Sequence, residues 1–407
     1  MKSIVNTSLA SVAGPCPSAR PEDAGPGGPL LYYCPASHGG FADYAHEQAK
    51  ALVALGMPVT FLCPTDWPHQ QAPPYALRAV LRPVQRGKDL PRWRRRFSTA
   101  RRILENQRRF ALVVGQEGAR RILCATYVEY LAPLWAGRLR RLAERGTVFG
   151  AVVHDPVRDT VIGPGWWHRR SVAAGYSYLR DAFVHDRITL DTIRPMPQLR
   201  TTVIPHGPYA FPAPEKPREL MRRELGLPPG APVLLSFGYI RDYKNLELAV
   251  RALPALPEAH LLVAGTEAGA GNQPIRHYQQ LAESLGVAGR CRWVIRFIPS
   301  GEVGNFFAAS DVALLTYAAS FRSASGVLNT AAHYRRPCLA SSGESNLGAM
   351  VRQYGLGVWV EPDDPAAVVA GLKQLLAARL IPRWEDYARD NSWERNATLV
   401  RERLLAA

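Results

Sequence analysis

Two stretches of this chain carry residues suited to holding an anion. In GYIRDYKN, residues 238–245, Arg241 and Lys244 follow an apolar run that begins near residue 231 and stand just before a helical pattern. Two cations beside the free N–H groups of a helix start suit a diphosphate; the plainer reading is two exposed charges on a surface turn. In SFRSASGVLNTAAHYRRPCLAS, residues 320–341, a loop runs into a helix and then a short buried strand, with Ser323, Ser325 and Gly326 at the helix start. Such a start leaves backbone N–H groups unpaired and aimed at whatever lies before them. It is either a well-capped helix or a phosphate seat. A third loop, Ser37-His38-Gly39-Gly40, follows the first apolar strand. Paired glycines let backbone approach a ligand closely, although a tight turn wants them too. It lacks the G-x-G-x-x-G spacing of a dinucleotide site, and the chain has no G-x-x-x-x-G-K-[ST].

The elements that must position these loops repeat one pattern. From residue 30 the chain reads strand, glycine loop, helix, strand, and the segment from Val113 to Pro156 repeats the alternation. DAFVHD leading to TTVIPHG follows. The pattern restarts with PVLLSFGYI and runs through HLLVAG, RCRWVIRFI, DVALLTY, PCLAS and GVWVEP, with helices expected at 245–255, 274–285, 302–308 and 326–334. Apolar strands alternating with helices imply parallel sheets covered on both faces, hence an α/β chain of two doubly wound domains. The expected division is a disordered leader over 1–29, a first domain over 30–207, a Pro- and charge-rich linker over 208–230, a second domain over 231–378, and a C-terminal helix over 379–407 anchored by Trp384, Tyr387 and Trp393. In open α/β sheets ligands sit at the carboxyl ends of strands. Both anion-suited helix starts fall on one such edge, which favours the phosphate seat. Glu302 and Asp311 read as capping and packing residues, and His333 as ordinary core.

The chain has 407 residues, 47% hydrophobic and 21% charged, which excludes a disordered or fibrous protein. No apolar run approaches the roughly 20 residues that span a bilayer. The six cysteines lie far apart without zinc spacing, which points to reduced thiols in a cytoplasmic protein. The net charge is +16, and residues 78–145 hold 18 Lys and Arg against 5 Asp and Glu. The densest part, residues 91–110, carries Trp93, Arg94, Arg95 and Arg96. A solvated helix face, an anionic membrane surface and an acidic substrate all suit it. Nothing resembles a nucleic-acid motif, so no nucleic-acid partner is expected.

From about residue 30 onward, and most strongly over 231–365, the chain resembles glycosyltransferases of the GT-B fold, specifically glycosyltransferase family 4. The resemblance rests on Gly39-Gly40, on His154 in AVVHDP, on VIPHG at 203–207, on Gly238 through Lys244, on Asp311 to Tyr317, and on RRPCLAS. It implies two Rossmann-like domains facing each other across a cleft, and retaining transfer of a hexose from a nucleotide-diphosphate sugar, GDP-mannose or a UDP-hexose, in surface polysaccharide assembly. It implies a saccharide or lipid-linked acceptor, docking on the inner face of the plasma membrane, and no metal or other cofactor. Lys244, Arg241, His154 and the neighbouring Asp155 become catalytic candidates. Gly238, Tyr317, Arg322, Ser323, Ser325, Gly326 and Thr330 become donor-binding candidates, and His38, Gly39 and Gly40 acceptor-side ones. The chain departs from the family at Tyr239, where arginine is usual, and at Arg322 and Thr330, where many members carry glutamates. An inverting transferase, a nucleotide-sugar 2-epimerase and a non-catalytic membrane-docking homologue are the alternatives.

Overall fold

Strands such as LLYY at 30–33 and VALLT at 312–316 are buried at every position. Strands of that kind belong in sheets with helices on both faces. The computed structural model describes residues 29–69, 72–83, 91–126, 128–154, 163–186, 199–208, 212–269, 271–378 and 380–406, apart from the side chains of residues 92, 93 and 95. The first sheet is built from β1 (Leu30–Tyr33), β2 (Val59–Pro64), β3 (Ala76–Leu81), β4 (Arg121–Cys124), β5 (Val148–Val153), β6 (Asp181–Val184) and β7 (Arg200–Val203), in the order β3-β2-β1-β4-β5-β6-β7. The second holds β8 (Val233–Phe237), β9 (His260–Gly265), β10 (Cys291–Ile295), β11 (Val312–Thr316), β12 (Cys338–Ser341) and β13 (Gly357–Trp359), in the order β10-β9-β8-β11-β12-β13.

Every strand pairing in both sheets is parallel, for example Leu30 with Val59 and with Arg121, or Val233 with His260. In each sheet the strand order reverses beside the first strand, at β1/β4 and at β8/β11. That reversal opens the crevice in which α/β ligands lie, and the loops after β1 and β8 border it.

Four sequence expectations change, the last of them in the C-terminal segment. Val113 to Glu117 do not begin a new unit: they finish helix Arg92–Glu117, and the strand is Arg121–Cys124. The stretch 208–230 is not simply a linker, because it contains helix Arg218–Glu224, with Met221 in the second core. Its charge misled the reading: Arg222 is buried, donating to the carbonyls of Ala309 and Pro229 and to Asp311. His333 is exposed on the outer side of its helix and is not core. Asp311 is a packing residue that receives Arg218, Arg222 and the Val233 amide, and Glu302 pairs with Arg296 in a first helical turn.

The C-terminal segment is two helices. Trp384–Asp390 packs on the second core through Tyr387. Ser392 then caps the next helix, Trp393–Leu405, by accepting from the Arg395 amide. That helix lies on the first domain, burying Ala397, Val400 and Leu404 beside Ala45, Ala49 and Leu52 of helix Gly40–Ala54. Between them runs a buried polar chain. Asn396 donates to the Tyr44 hydroxyl at 2.8 Å and the Pro205 carbonyl at 2.7 Å. It accepts from Gln48 at 2.7 Å, and Gln48 accepts from the Tyr32 hydroxyl at 2.6 Å. A Cβ at Gly207 would stand 2.3 Å from the Trp393 ring, so only glycine admits that indole. Arg121, Arg180 and Arg200 donate to the carbonyls of Leu404 and Arg403, closing the helix C-terminus with cations.

Because Asn396 satisfies Tyr44, Gln48 and the Pro205 carbonyl, its removal strands several buried polar atoms. Asn396→Ala is expected to destabilise the protein by about 3 kcal/mol. The thermal midpoint should fall by several degrees. An unchanged midpoint would show that the polar chain does not hold the helix.

Candidate active site

At the carboxyl end of β8, Gly238 takes φ +90°, a left-handed conformation that side chains avoid. Lys244 ends the 3-10 turn Asp242–Lys244. Its Nζ folds back beneath the loop and donates to the Phe237 carbonyl at 2.6 Å. A Cβ on residue 238 would lie 3.3 Å from that ammonium. Burial, and then the nearby charge of Arg241, pushes the Lys244 ammonium down to about 7. Arg241 reaches the Tyr243 hydroxyl at 3.1 Å and sits over the rings of Tyr243 and Tyr239. Asp242, the one acid of this loop, is turned away to the Gln273 amide and the Tyr278 hydroxyl. Among the described residues, neither Lys244 nor Arg241 has a carboxylate partner.

Helix Gly326–His333 points its N-terminus at the same edge. Ser325 is the cap, its Oγ accepting from the Leu328 amide and lying 2.8 Å from the Tyr317 hydroxyl. Thr330 donates to the Gly326 carbonyl one turn back. The hydroxyls of Ser325, Thr330 and Tyr317 thus serve the helix and its packing, which makes the well-capped reading correct for the side chains. The leading backbone amides, at Gly326 and Val327, are what the helix offers a ligand. Arg322 is exposed beside them and Ser323 half-buried.

On the first domain His154 follows β5, half-buried, with Nε2 2.9 Å from the Ala125 carbonyl and Nδ1 3.3 Å from His185. Its ring meets Phe41 and Tyr44 edge-on. Asp155 lies outside the described residues, as do the side chains of Trp93 and Arg95. Gly39, with φ 77°, caps the helix that Gly40 begins. His38 is exposed, 3.6 Å from Asp66. Arg94 and Arg96 are exposed on helix Arg92–Glu117, away from these loops.

Sequence reasoning passed over two further histidines. His185 and His206 are both packed against Tyr44, and His206 also against Trp393. Burial, with His206 and His154 nearby, holds His185 well below the usual imidazole range; burial takes His206 down to about 4. Both rings are therefore neutral at pH 7. Asn329 of helix Gly326–His333 places its amide nitrogen 3.0 Å from His206 Nδ1 and accepts from Tyr387. The Asp186 carboxylate accepts the Asn346 amide of the second domain. A small pocket lies at this junction, lined by His185, His206, Ser325, Asn329 and Tyr387 among others. The signal was present: three successive apolar runs, AVV, FV and VIP, each end in histidine.

Residues 217–397 match the family model described as Glycosyl transferases group 1. The D-inositol 3-phosphate glycosyltransferase of Geodermatophilus obscurus is 32% identical over 209 residues, covering 48% of this chain and 45% of that protein. The chain thus spans about half the length of this curated relative. Among solved structures, the trehalose-6-phosphate protein from E. coli bound with UDP-2-fluoro glucose superposes with TM-score 0.64 at 14% identity, over 92% of this chain and 98% of that one. Sucrose-phosphate synthase from Thermosynechococcus elongatus gives 0.61 at 18% identity, over 92% and 94%. The architecture is the GT-B fold.

The depressed Lys244 sets a pH test. Its folded value, about 7, lies below that of an unfolded lysine, so between the two the unfolded chain binds more protons and stability rises with pH. Below about pH 7 the full desolvation cost remains. Lys244→Met is therefore expected to raise the thermal midpoint at pH 6, with a smaller gain at pH 9.5. Equal gains at both values would mean that the ammonium is not buried as described.

Proposed function

We propose that the protein is a glycosyltransferase that moves a hexose from a nucleotide-diphosphate sugar, GDP-mannose or a UDP-hexose, to a saccharide or lipid-linked acceptor with retention. The observation that carries this reading is the pair of carboxylate-free cations, Lys244 and Arg241, beside the open N-terminus of helix Gly326–His333, on the crevice edge of the second sheet. The family match covers this same half of the chain, and a neighbour of the same fold is bound with UDP-2-fluoro glucose.

In the proposed reaction the bond between the sugar C1 and the β-phosphate oxygen breaks, and its electron pair leaves with the diphosphate. A new bond joins C1 to the acceptor oxygen, whose proton passes to the departing phosphate. The enzyme's task is to stabilise that leaving charge. Lys244 recovers its proton when the diphosphate arrives, because an adjacent anion favours the charged form. Arg241, held between two tyrosine rings, takes the place of the arginine that Tyr239 displaces. The Gly326 and Val327 amides complete the cradle, a charge compensation that asks for no metal. His154 lies across the crevice, and we assign its backbone carbonyl to a sugar hydroxyl. The neutral histidines behind it keep that wall uncharged, so the cleft's positive charge stays on the diphosphate side. The basic first domain would hold the enzyme against an anionic membrane where lipid-linked acceptors of surface polysaccharide assembly reside.

Incubation with radiolabelled GDP-mannose and UDP-hexoses plus lipid extract, with and without EDTA, tests this reading. Label should move from at least one donor, undiminished by EDTA, with the donor's anomeric configuration kept in the product. Lys244→Ala should then lose on the order of 2–4 kcal/mol of transition-state stabilisation. Absence of both transfer and UDP or GDP binding would overturn the proposal; turnover within threefold in Lys244→Ala would remove that residue's role.

A further inference from the structure

The helical layer over the first sheet carries a feature that the donor site does not use. Helix Ala132–Glu144 lies beside helix Arg92–Glu117, and between them runs an open groove with about 520 Å³ of empty space. Ala111, Leu112, Arg138, Arg141, Leu142 and Arg145 line it. Leu134, Arg138, Arg141 and Arg145 recur at three- and four-residue spacing, so they share one side of their helix and its C-terminal cap. The three arginines are exposed, and none has a carboxylate partner among the described residues. Arg140, which points elsewhere, takes Glu144, the one acid of that helix.

A solvated helix face would intersperse acids with these arginines and keep large apolar side chains away. Here Leu112 is 56% exposed and Leu134 65%, with Phe97 71% exposed further along the longer helix. Guanidinium forks without a carboxylate, Arg141 donating only to the Gly137 carbonyl of its own helix, suit a phosphate. Exposed leucines beside them suit an acyl interface and not a free ion in water. A nucleic acid would reward aromatic stacking platforms in the groove, and its lining has none.

We infer that this groove seats the headgroup phosphate of an anionic phospholipid, with Leu112 and Leu134 entering the interface beside it. The site deepens the membrane part of the reading above but does not depend on glycosyl transfer. It also moves the main contact from the Trp93–Arg96 segment to the second helix.

The test is cosedimentation of the full chain with phosphatidylcholine vesicles and with vesicles containing 30% phosphatidylglycerol, at low and high salt. Nucleotide binding and the thermal midpoint are followed in parallel. Wild type should bind the phosphatidylglycerol vesicles, and less so at high salt. Each arginine near a charged surface contributes about 5-fold in affinity, so R138Q/R141Q/R145Q should bind at least 30-fold more weakly. UDP or GDP affinity and the midpoint should hold, and R251Q on the second domain should match wild type. Leu112→Ser should weaken vesicle binding several-fold. Equal binding to both vesicle types, or a triple variant that binds like wild type, overturns the site. So does inorganic phosphate at 10 mM abolishing vesicle binding while Leu112→Ser has no effect, which would mark a free-phosphate site. Tight binding of a 30-nucleotide RNA without vesicle binding would also overturn it. Loss of nucleotide binding in wild type would instead count against the donor reading alone.

Discussion

The cleft depends on one crossing of the chain. Two parallel sheets, each with its own cores, have no intrinsic reason to keep a fixed orientation. The C-terminal crossing docks one on the other at Asn391 and Ser392, where one helix ends on the second core and the next begins on the first. Burying an asparagine at the centre of that dock would be costly if any of its groups went unmatched. All are matched, by Tyr44, Gln48 and Pro205. The match is directional, so it fixes register where apolar contact alone would let the helix slide. Tyr44 is the hinge of this arrangement, because the ring that receives Asn396 also packs against His154, His185, His206 and Trp393. The dock and the histidine wall are thus one structure.

Stability and the proposed anion site pull against each other at Lys244. A cation held under a loop with a carbonyl for company is destabilising in the empty protein, and burial lowers its pKa accordingly. Any carboxylate placed beside it would relieve that cost and spoil an anion site. Asp242 is close in sequence but is committed to Gln273 and Tyr278. The loop therefore keeps its acid occupied elsewhere, which leaves the field at the crevice edge positive.

Much of this was legible in the chain. Strands buried on both faces announce themselves as apolar runs, so twelve of thirteen strands fell inside segments that the alternation pointed to. β3 did not, because an edge strand with only one fully buried residue, ALRAVL, carries an arginine and no continuous run. The anion loops could be read because their chemistry is local: cations, glycines and a helix start within a few residues. The histidine cluster was less plain: His154, His185 and His206 each end an apolar run, but only strand adjacency in the sheet brings the three together. Composition misled twice. Arg222 looked like linker charge but is solvated by carbonyls, and His333 looked apolar by its neighbours although its helix turns it outward.

The loss of the glutamates expected near residues 322 and 330 is better understood from the junction than from the donor loop. Thr330 faces its own helix, so a carboxylate is not simply replaced there by another ligand group. The neighbouring Asn329 instead spans the two domains, meeting His206 on one side and Tyr387 on the other. An asparagine can do this without charge, whereas a glutamate beside two buried neutral histidines would draw a proton onto them. The helix that carries these positions thus serves as a strut between the domains.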